Sequence, residues 1–290
     1  MTLEQLVQAS AQRLAEAGVS FGHGTQNAHD EAAWLVLWRL GLPLDEEIDA
    51  RPVTAEQQAQ VQALLEQRIA TRQPAAYLTR EAWLQGVPFY VDERAIVPRS
   101  LIAEVLADGT IDAWLSDHTR DVLDLCTGNG SLAVLAALAW PEVRVTGSDL
   151  SADALAVAQI NVERHGLQAR VSLCQSDGLS ALSGPYDLIL CNPPYVCQAS
   201  MDALPAEFLA EPQMALAGGE DGMDFVRQLL HDAPSRMREH GVLVLEIGHE
   251  IAHFLAAFPQ LQGVWLETSA GDEQVVLLTR QALLQGVARA

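Results

Sequence analysis

The sequence predicts an α/β fold, a parallel, doubly wound sheet reached through an N-terminal helical domain and a β-hairpin linker. Three observations carry this expectation. From Asp121 onward, short apolar runs of strand length alternate with longer runs of helical period, and that alternation calls for parallel strands joined by crossover helices on both faces. The run Asp124-Leu125-Cys126-Thr127-Gly128-Asn129-Gly130 forms a glycine-rich turn at the first strand-to-helix junction of that region, where open α/β sheets place a ligand. The first ~75 residues read instead as helices, with ends uncertain by a few positions.

Taken in order, the first helix carries a partial apolar stripe of Leu3, Leu6, Val7 and Leu14, and Gly18 ends it. Asp30 to Leu40 is apolar, rich in Trp and Leu, and closed by Gly41 and Pro43. A third helix starts at Thr54, with Gln57 three residues on as a capping box. Its face is Val61, Leu64, Leu65 and Ile69, and Pro74 stops it. Between Ala82 and Pro98 the period changes, and Trp83 to Val91 reads as a short hairpin or extended linker. The expected division is therefore a helical domain over 1–80, a linker over 81–100 and the sheet domain over 101–290.

Within the sheet domain a helix is expected over Leu101–Ala107. Strands are expected over Val122–Cys126, Val143–Ser148, Val171–Cys174, Tyr186–Cys191, Val242–Ile247, Val264–Glu267 and Gln274–Thr279. Helices are expected over Ser131–Ala139, Ala152–His165, Met223–Glu239 and Glu250–Phe258.

The 290 residues are 49% hydrophobic, ample material for a core. No apolar run reaches membrane-span length, and the N-terminus lacks a basic-then-apolar leader, so a soluble cytoplasmic protein is expected. Cys126, Cys174, Cys191 and Cys197 form no C-x-x-C pair and read as buried free thiols. The formal net charge of −21 counts against binding nucleic-acid backbones and favours a basic partner.

The most informative residues are Asn192-Pro193-Pro194-Tyr195, placed after the apolar strand Tyr186–Cys191. Such a turn suits methylation of a nitrogen on a planar group, whose lone pair is delocalised. The Asn192 side-chain oxygen and the Pro193 carbonyl can each accept a hydrogen bond from one NH2 group, aiming the nitrogen at a methyl donor. The two prolines restrict φ and preset those acceptors, while Tyr195 offers a flat face to a planar amide or base. An ordinary proline-rich turn is the competing interpretation of the tetrapeptide alone.

The glycine-rich turn narrows the donor. Gly128 and Gly130 permit a tight turn and close approach of a ligand. Asp149 ends the next strand and can accept both hydroxyls of a ribose, and Asp177 follows the third strand, placed to meet an adenine edge. The spacing is not G-x-G-x-x-G, and Asp124 in the lead-in would repel a pyrophosphate. S-adenosylmethionine carries a cation and no phosphate, so it fits better than a dinucleotide.

With these motifs in this order, the chain resembles the class I S-adenosylmethionine-dependent methyltransferases, whose sheet is Rossmann-like. Within them it is similar to the protein-glutamine N5-methyltransferases of the HemK/Prm family. The similarity covers essentially the whole chain. The finer match is to the branch that methylates a glutamine of large-subunit ribosomal protein L-three. It rests on Phe21-Gly22-His23-Gly24-Thr25, Asp30-Glu31-Ala32, Ala76-Tyr77-Leu78-Thr79, Phe89 to Arg94, and Val97-Pro98-Arg99-Ser100. The release-factor branch typically reads I-P-R-P-D-T-E where this chain has Val97 to Glu104, and usually has Gly where Cys126 stands.

The resemblance implies that the turn from Cys126 through Thr127 and Gly128 to Gly130, following Asp124, lines the methionine end of S-adenosylmethionine. It implies that Asp149 holds the ribose, that Asp177 lies near the adenine, and that Asn192 to Tyr195 hold the glutamine amide beside the cofactor. Arg99 and Glu246 are either pocket-shaping residues or, respectively, a surface linker residue and a charged strand end. A basic protein substrate is implied, which an acidic enzyme fits. Release-factor methylation and amino-methylation of DNA are the alternatives, opposed by the linker motif and by the acidic charge.

Two histidine motifs need weighing. His249-Glu250-Ile251-Ala252-His253 matches H-E-x-x-H, a zinc-binding helix signature. Here Ile251, Phe254, Leu255 and Phe258 are expected to face the core and the two histidines solvent, so no metal is assigned. Gly22-His23-Gly24 reads as a turn, part of a substrate platform.

Overall fold

The computed structural model describes residues 1–286, and its N-terminal region is built from four helices: α1 (Leu3–Glu16), α2 (Ala28–Leu40), α3 (Ala55–Thr71) and α4 (Ala75–Thr79). Local chemistry sets their ends. Thr2 with Gln5, and Thr54 with Gln57, close capping boxes that satisfy the first free N–H groups of α1 and α3. Asn27 caps α2, and Gly41 ends it in the left-handed region at φ 67°. The end of α3 differs from expectation. Arg72, at φ 58°, terminates it, and Pro74 instead opens α4. Arg72 is held there because its guanidinium donates to the carbonyls of Ala17 and Gly18. Leu3, Leu14, Leu35 and Val61 meet in one fully buried cluster among these helices.

The linker is a true hairpin. Strands β1 (Ala82–Leu84) and β2 (Val87–Phe89) pair antiparallel across Gln85-Gly86, at φ 49° and 72°. Two positive φ values make a turn whose twist matches that of the strands. Helix α5 (Ile102–Ala107) follows.

The remaining elements are β3 (Asp121–Leu125), α6 (Ser131–Ala139), β4 (Arg144–Asp149), α7 (Ala152–Arg164), β5 (Val171–Gln175), β6 (Tyr186–Cys191), α8 (Gln198–Met201), α9 (Ala206–Leu209), α10 (Asp224–Asp232), β7 (Met237–Glu246), α11 (Ile251–Ala257), β8 (Val264–Thr268), β9 (Gly271–Thr279) and α12 (Arg280–Gly286). The strands form one sheet in the order β5-β4-β3-β6-β7-β9-β8. Side chains alternate between its faces, as strand periodicity requires. Val122, Leu188, Leu190, Val242 and Val244 pack with α5 and α6. Leu123, Ile189, Leu243 and Leu245 pack with Val226 and Leu230 of α10.

The order reverses between β3 and β6. That switch opens a crevice beyond their carboxyl ends, where both sequence motifs lie.

Four further expectations need correction. The sheet is mixed rather than wholly parallel: β9 runs antiparallel to both β7 and β8. Only Ser269 and Ala270 separate β8 from β9, too few residues for a parallel crossover. The helix expected to reach Glu239 stops at Asp232, because Pro234 cannot continue an α-helical ladder, and Met237 already pairs with Tyr186. Leu255 is 50% exposed, so Phe254 carries the buried face of α11. Among the cysteines Cys191 and Cys197 are buried but Cys126 and Cys174 only half-buried, and all four are free thiols. Among the described residues no helix is long and apolar enough to cross a membrane.

Candidate active site

The turn after β3 is shaped from behind by Asp124. Its buried carboxyl accepts hydrogen bonds from the Thr127 hydroxyl and from the Ala133 N–H at 2.9 Å, tying the turn to the first helical turn of α6. Burial pushes its pKa up to about 7 against those donors. Cys126 itself lies at φ 61°, a conformation that glycine takes freely and that costs a residue with a Cβ about 1–2 kcal/mol. Gly130 is required by packing: a Cβ there would stand 3.0 Å from that of Ala158 on α7.

Asp149 completes the wall from β4. One oxygen accepts from the Gly128 N–H and the other from the Ser151 N–H, both at 2.9 Å, which fixes the carboxylate over the turn. Burial raises its pKa while these backbone donors oppose the shift. Cys126, Gly128, Asp149, Asp177, Asn192 and Pro194 line one cavity at the switch point. Asp124, Thr127 and Gly130, grouped with them by the motif, are absent from that lining and stand behind it.

A second cavity lies against the first. Pro193, Tyr195, Arg99 and Glu246 line it, together with Phe208 and His249. Asn192 lines both, as do Ile96 and Ala215, so it stands in the wall between them. The register explains this position: Leu125 pairs with Cys191, so β6 delivers Asn192 beside the turn that begins at Cys126.

Tyr195 is held from two sides. Its hydroxyl donates to Glu246 Oε1 at 3.3 Å, and its ring closes over Gly248, where a Cβ would meet Cε2 at 2.4 Å. Glu246 in turn accepts from the Ser100 hydroxyl at 2.5 Å and the Leu101 N–H at 2.9 Å. Burial raises the pKa of Glu246, and these donors oppose it. The charged strand end is thus a buried anchor joining β7, the linker and the Asn-Pro-Pro-Tyr turn.

Arg99 is likewise no surface linker residue. Its guanidinium forms a two-pronged pair with Glu211 at 2.6 and 2.7 Å, 5.5 Å from the centre of the Phe208 ring. Glu211 also accepts from the Val97 N–H at 2.9 Å. His23 occupies a genuine turn, closed by the Gly22 N–H donating to the Thr25 carbonyl, but its ring is buried rather than offered as a platform. Nε2 lies 3.3 Å from Glu211, and the ring packs on Phe208 with centroids 4.2 Å apart. Glu211 and Phe208 had no sequence signal, since they fall in a segment without periodicity and meet partners more than a hundred residues away.

Burial penalises the Glu211 carboxylate, yet Arg99 and His23 hold its pKa down at about 2. A depressed carboxylate contributes stability that is fully present above its ordinary value of 4.5 and lost as pH falls toward 2. Unfolding measured across that window should show wild-type stability falling by on the order of 3 kcal/mol more than that of Glu211→Gln. Parallel curves for the two proteins would mean that this network does not hold the linker.

The H-E-x-x-H run does not form a paired-histidine site. Helix α11 begins at Ile251, so His249 lies before it and the helical spacing of the two histidines is lost. Both are exposed. His253 instead sits 2.6 Å from Glu250, near Cys197.

Comparison with known proteins places this geometry. Residues 109–223 match the Methyltransferase small domain family. The chain is 52% identical over 288 residues to the ribosomal protein uL3 glutamine methyltransferase of Bordetella pertussis, covering 97% of this chain and 96% of that protein. It is 50% identical over 290 residues to the protein of that name in Burkholderia pseudomallei, covering 96% and 94%. Against the Neisseria meningitidis serogroup B protein of the same name the identity is 47% over 288 residues, covering 98% and 94%. Among solved structures, the catalytic domain of hMettl16 in complex with the MAT2A 3′UTR hairpin 6 superposes with a TM-score of 0.51 at 14% identity, covering 78% of this chain and 81% of that one. That likeness is one of fold.

Proposed function

The chain belongs to the ribosomal protein uL3 glutamine methyltransferases, and from that premise we propose that it methylates the side-chain amide nitrogen, N5, of a glutamine in uL3. The donor in this reading is S-adenosylmethionine, the substrate is a basic protein, and the setting is the cytoplasm. The observation that carries it is the position of Asn192 in the wall shared by two cavities.

The residues of the first cavity suit that donor. Two carboxylates, Asp149 and Asp177, line it with Arg94, whose charge is already paired with Asp92 at 2.7 Å, a balance that fits hydroxyls and a cation better than a phosphate. Asp149 would hold the ribose hydroxyls with an orientation already set by Gly128 and Ser151. The turn from Cys126 to Gly128 would line the methionine end, and Asp177 the adenine. When bound, S-adenosylmethionine supplies an electrophilic methyl group on a sulfonium.

In the second cavity Asn192 Oδ1 and the Pro193 carbonyl accept the two N–H bonds of the glutamine amide. That turns the nitrogen lone pair toward the shared wall. Tyr195 packs against the amide plane, and Arg99 and Glu246 keep the turn from shifting. Methyl transfer from that donor would form the N–CH3 bond as the S–CH3 bond breaks, with the electron pair leaving on the sulfur of S-adenosylhomocysteine. The methylated nitrogen then releases its proton to water, so no base residue is needed. The helical region over 1–80 grips the protein around its glutamine.

The test is methyl transfer from labelled S-adenosylmethionine, with purified uL3 and a peptide-release factor offered side by side. Label on uL3 alone is the expected result. Label on the release factor would overturn the substrate, and label on neither would sink the enzymatic reading for both.

A further inference from the structure

Away from both cavities, a groove of about 990 Å³ lies between the helical region and the hairpin linker. Its walls are Trp34 and Trp38 from α2 and Trp83 from β1, and its charged groups are Asp45 and Glu81. No Arg or His lines it, and the chain contains no lysine. Trp83 is 45% exposed. Its indole N–H donates to Glu81 Oε1 at 3.1 Å, which fixes the ring's orientation at the groove edge. Asp45 stands exposed in the loop after Gly41, followed by Glu46 and Glu47. Arg51 pairs with Glu46 and Asp49, not with Asp45.

Tryptophan faces attract cations more strongly than other aromatic rings do, and a neighbouring carboxylate adds to that attraction. Glu81 is also paired with Arg164 at 2.9 Å, so the three indoles and the Asp45 carboxylate around one open groove are what select a positively charged, partly apolar side chain. A metal ion would find too few ligands there, and a neutral apolar segment would cover the Asp45 carboxylate without giving it a partner.

The groove also connects to the chemistry. The turn Gly22-His23-Gly24-Thr25 borders both regions. A Cβ at Gly22 would lie 3.3 Å from the Phe208 ring, which lines the second cavity, while Gly24 and Thr25 line the groove. Consecutive Cα atoms stand about 3.8 Å apart, so the two regions are bordered by positions within roughly 8 Å of backbone. A protein chain entering the second cavity has a short path along this turn into the groove.

We propose that the groove formed by Trp34, Trp38, Trp83, Asp45 and Glu81 is a docking site for a lysine or arginine side chain of the protein substrate, a few residues from the glutamine. This rests on the reading of the enzyme as a methyltransferase of a basic protein. The groove supplies affinity and register, while the reacting atoms meet elsewhere. Its loss therefore belongs in KM for the protein and not in kcat or in KM for S-adenosylmethionine.

The experiment compares wild type with Trp83→Ala, Asp45→Asn and the double variant, using purified uL3 and labelled S-adenosylmethionine. Both side chains are exposed, and thermal unfolding checks that the variants keep the wild-type fold. The double variant should raise KM for uL3 about tenfold, with kcat and the cofactor KM within twofold. Trp83→Phe should recover most of the loss, because it keeps an aromatic face. An unchanged KM for uL3 in the folded double variant overturns the groove. A fall in kcat with unchanged KM overturns it too, since that is the mark of a positioning defect. Failure of wild type itself to label uL3 would instead strike the underlying substrate reading, and the two failures are thereby distinguished.

Discussion

The Asn192→Ala variant is expected to lose methyl transfer by about 10²–10³-fold in kcat, the cost of removing one preorganised hydrogen-bonding group at a reacting centre. Cofactor affinity should stay within a few fold of wild type. The reasoning starts from the nitrogen. A side-chain amide has its lone pair spread into the carbonyl, so an approach line and two acceptors must be ready before the substrate arrives. Pro193 and Pro194 fix the backbone after Asn192, and the strand register fixes it before. The turn is held further by Val196, whose N–H donates to the Leu216 carbonyl and whose own carbonyl accepts from Gly218, both at 2.9 Å. Alanine leaves all of this in place and removes one acceptor. The Asp149 side of the first cavity is untouched, so the ribose contacts should persist. Titration of S-adenosylmethionine beside single-turnover rates separates the two effects. Equal losses in binding and rate would assign Asn192 to the cofactor and remove it from the chemistry.

What was legible in the sequence follows from distance along the chain. The Asn-Pro-Pro-Tyr turn, the Thr54–Gln57 capping box and the glycine-rich turn each lie within seven consecutive residues, so local rules reach them. The spacing of the glycine-rich turn could place its residues near a ligand but not say which side of the wall each occupies. Asp124 and Thr127 turned inward to brace α6, and only the fold decides that. The antiparallel edge escapes the alternation of strand and helix, which predicts parallel crossovers, even though Ser269 and the Gly271-Asp272 pair that follows are ordinary turn residues. His23, Phe208 and Glu211 were out of reach for another reason. Their meaning lies in pairings such as Arg99 with Glu211, separated by 112 positions. No periodicity encodes such a pair.

The largest stability effect expected in the molecule comes from a residue of that long-range kind. Arg68 on α3 is fully buried, with a relative exposure of 0%. Its Nε donates to Glu31 Oε1 at 2.8 Å, its Nη2 to the Ser20 carbonyl at 3.2 Å, and its Nη1 reaches Glu207 on α9 at 3.5 Å. Glu31 and Glu207 are themselves 1% exposed. Burial already raises the Glu31 pKa, with Arg68 the chief opposing influence. Arg68→Ala would leave a carboxylate buried without its cation and open a cavity where the largest buried side chain stood, and breaking such a pair typically costs ~3–5 kcal/mol. The loss should be softened at Glu207, where Arg72 stands 3.2 Å away, and not at Glu31, whose other partner is the neutral Thr25 hydroxyl at 3.2 Å. The double variant Arg68→Met/Glu31→Gln removes both charges and fills the space, so it should recover much of the stability, as apolar replacements of buried ion pairs often do. Denaturant unfolding of the two variants tests this. A loss below about 1 kcal/mol in Arg68→Ala would show that water or rearrangement satisfies the carboxylates, so that α9 is not held to the helical region through them. The consequence for function runs through that same segment. Glu207 is four residues from Glu211, and Glu211 holds Arg99 at the second cavity. A chain that loosens at Arg68 should therefore lose its grip on uL3 before it loses S-adenosylmethionine, whose cavity is built on the far side of Asn192.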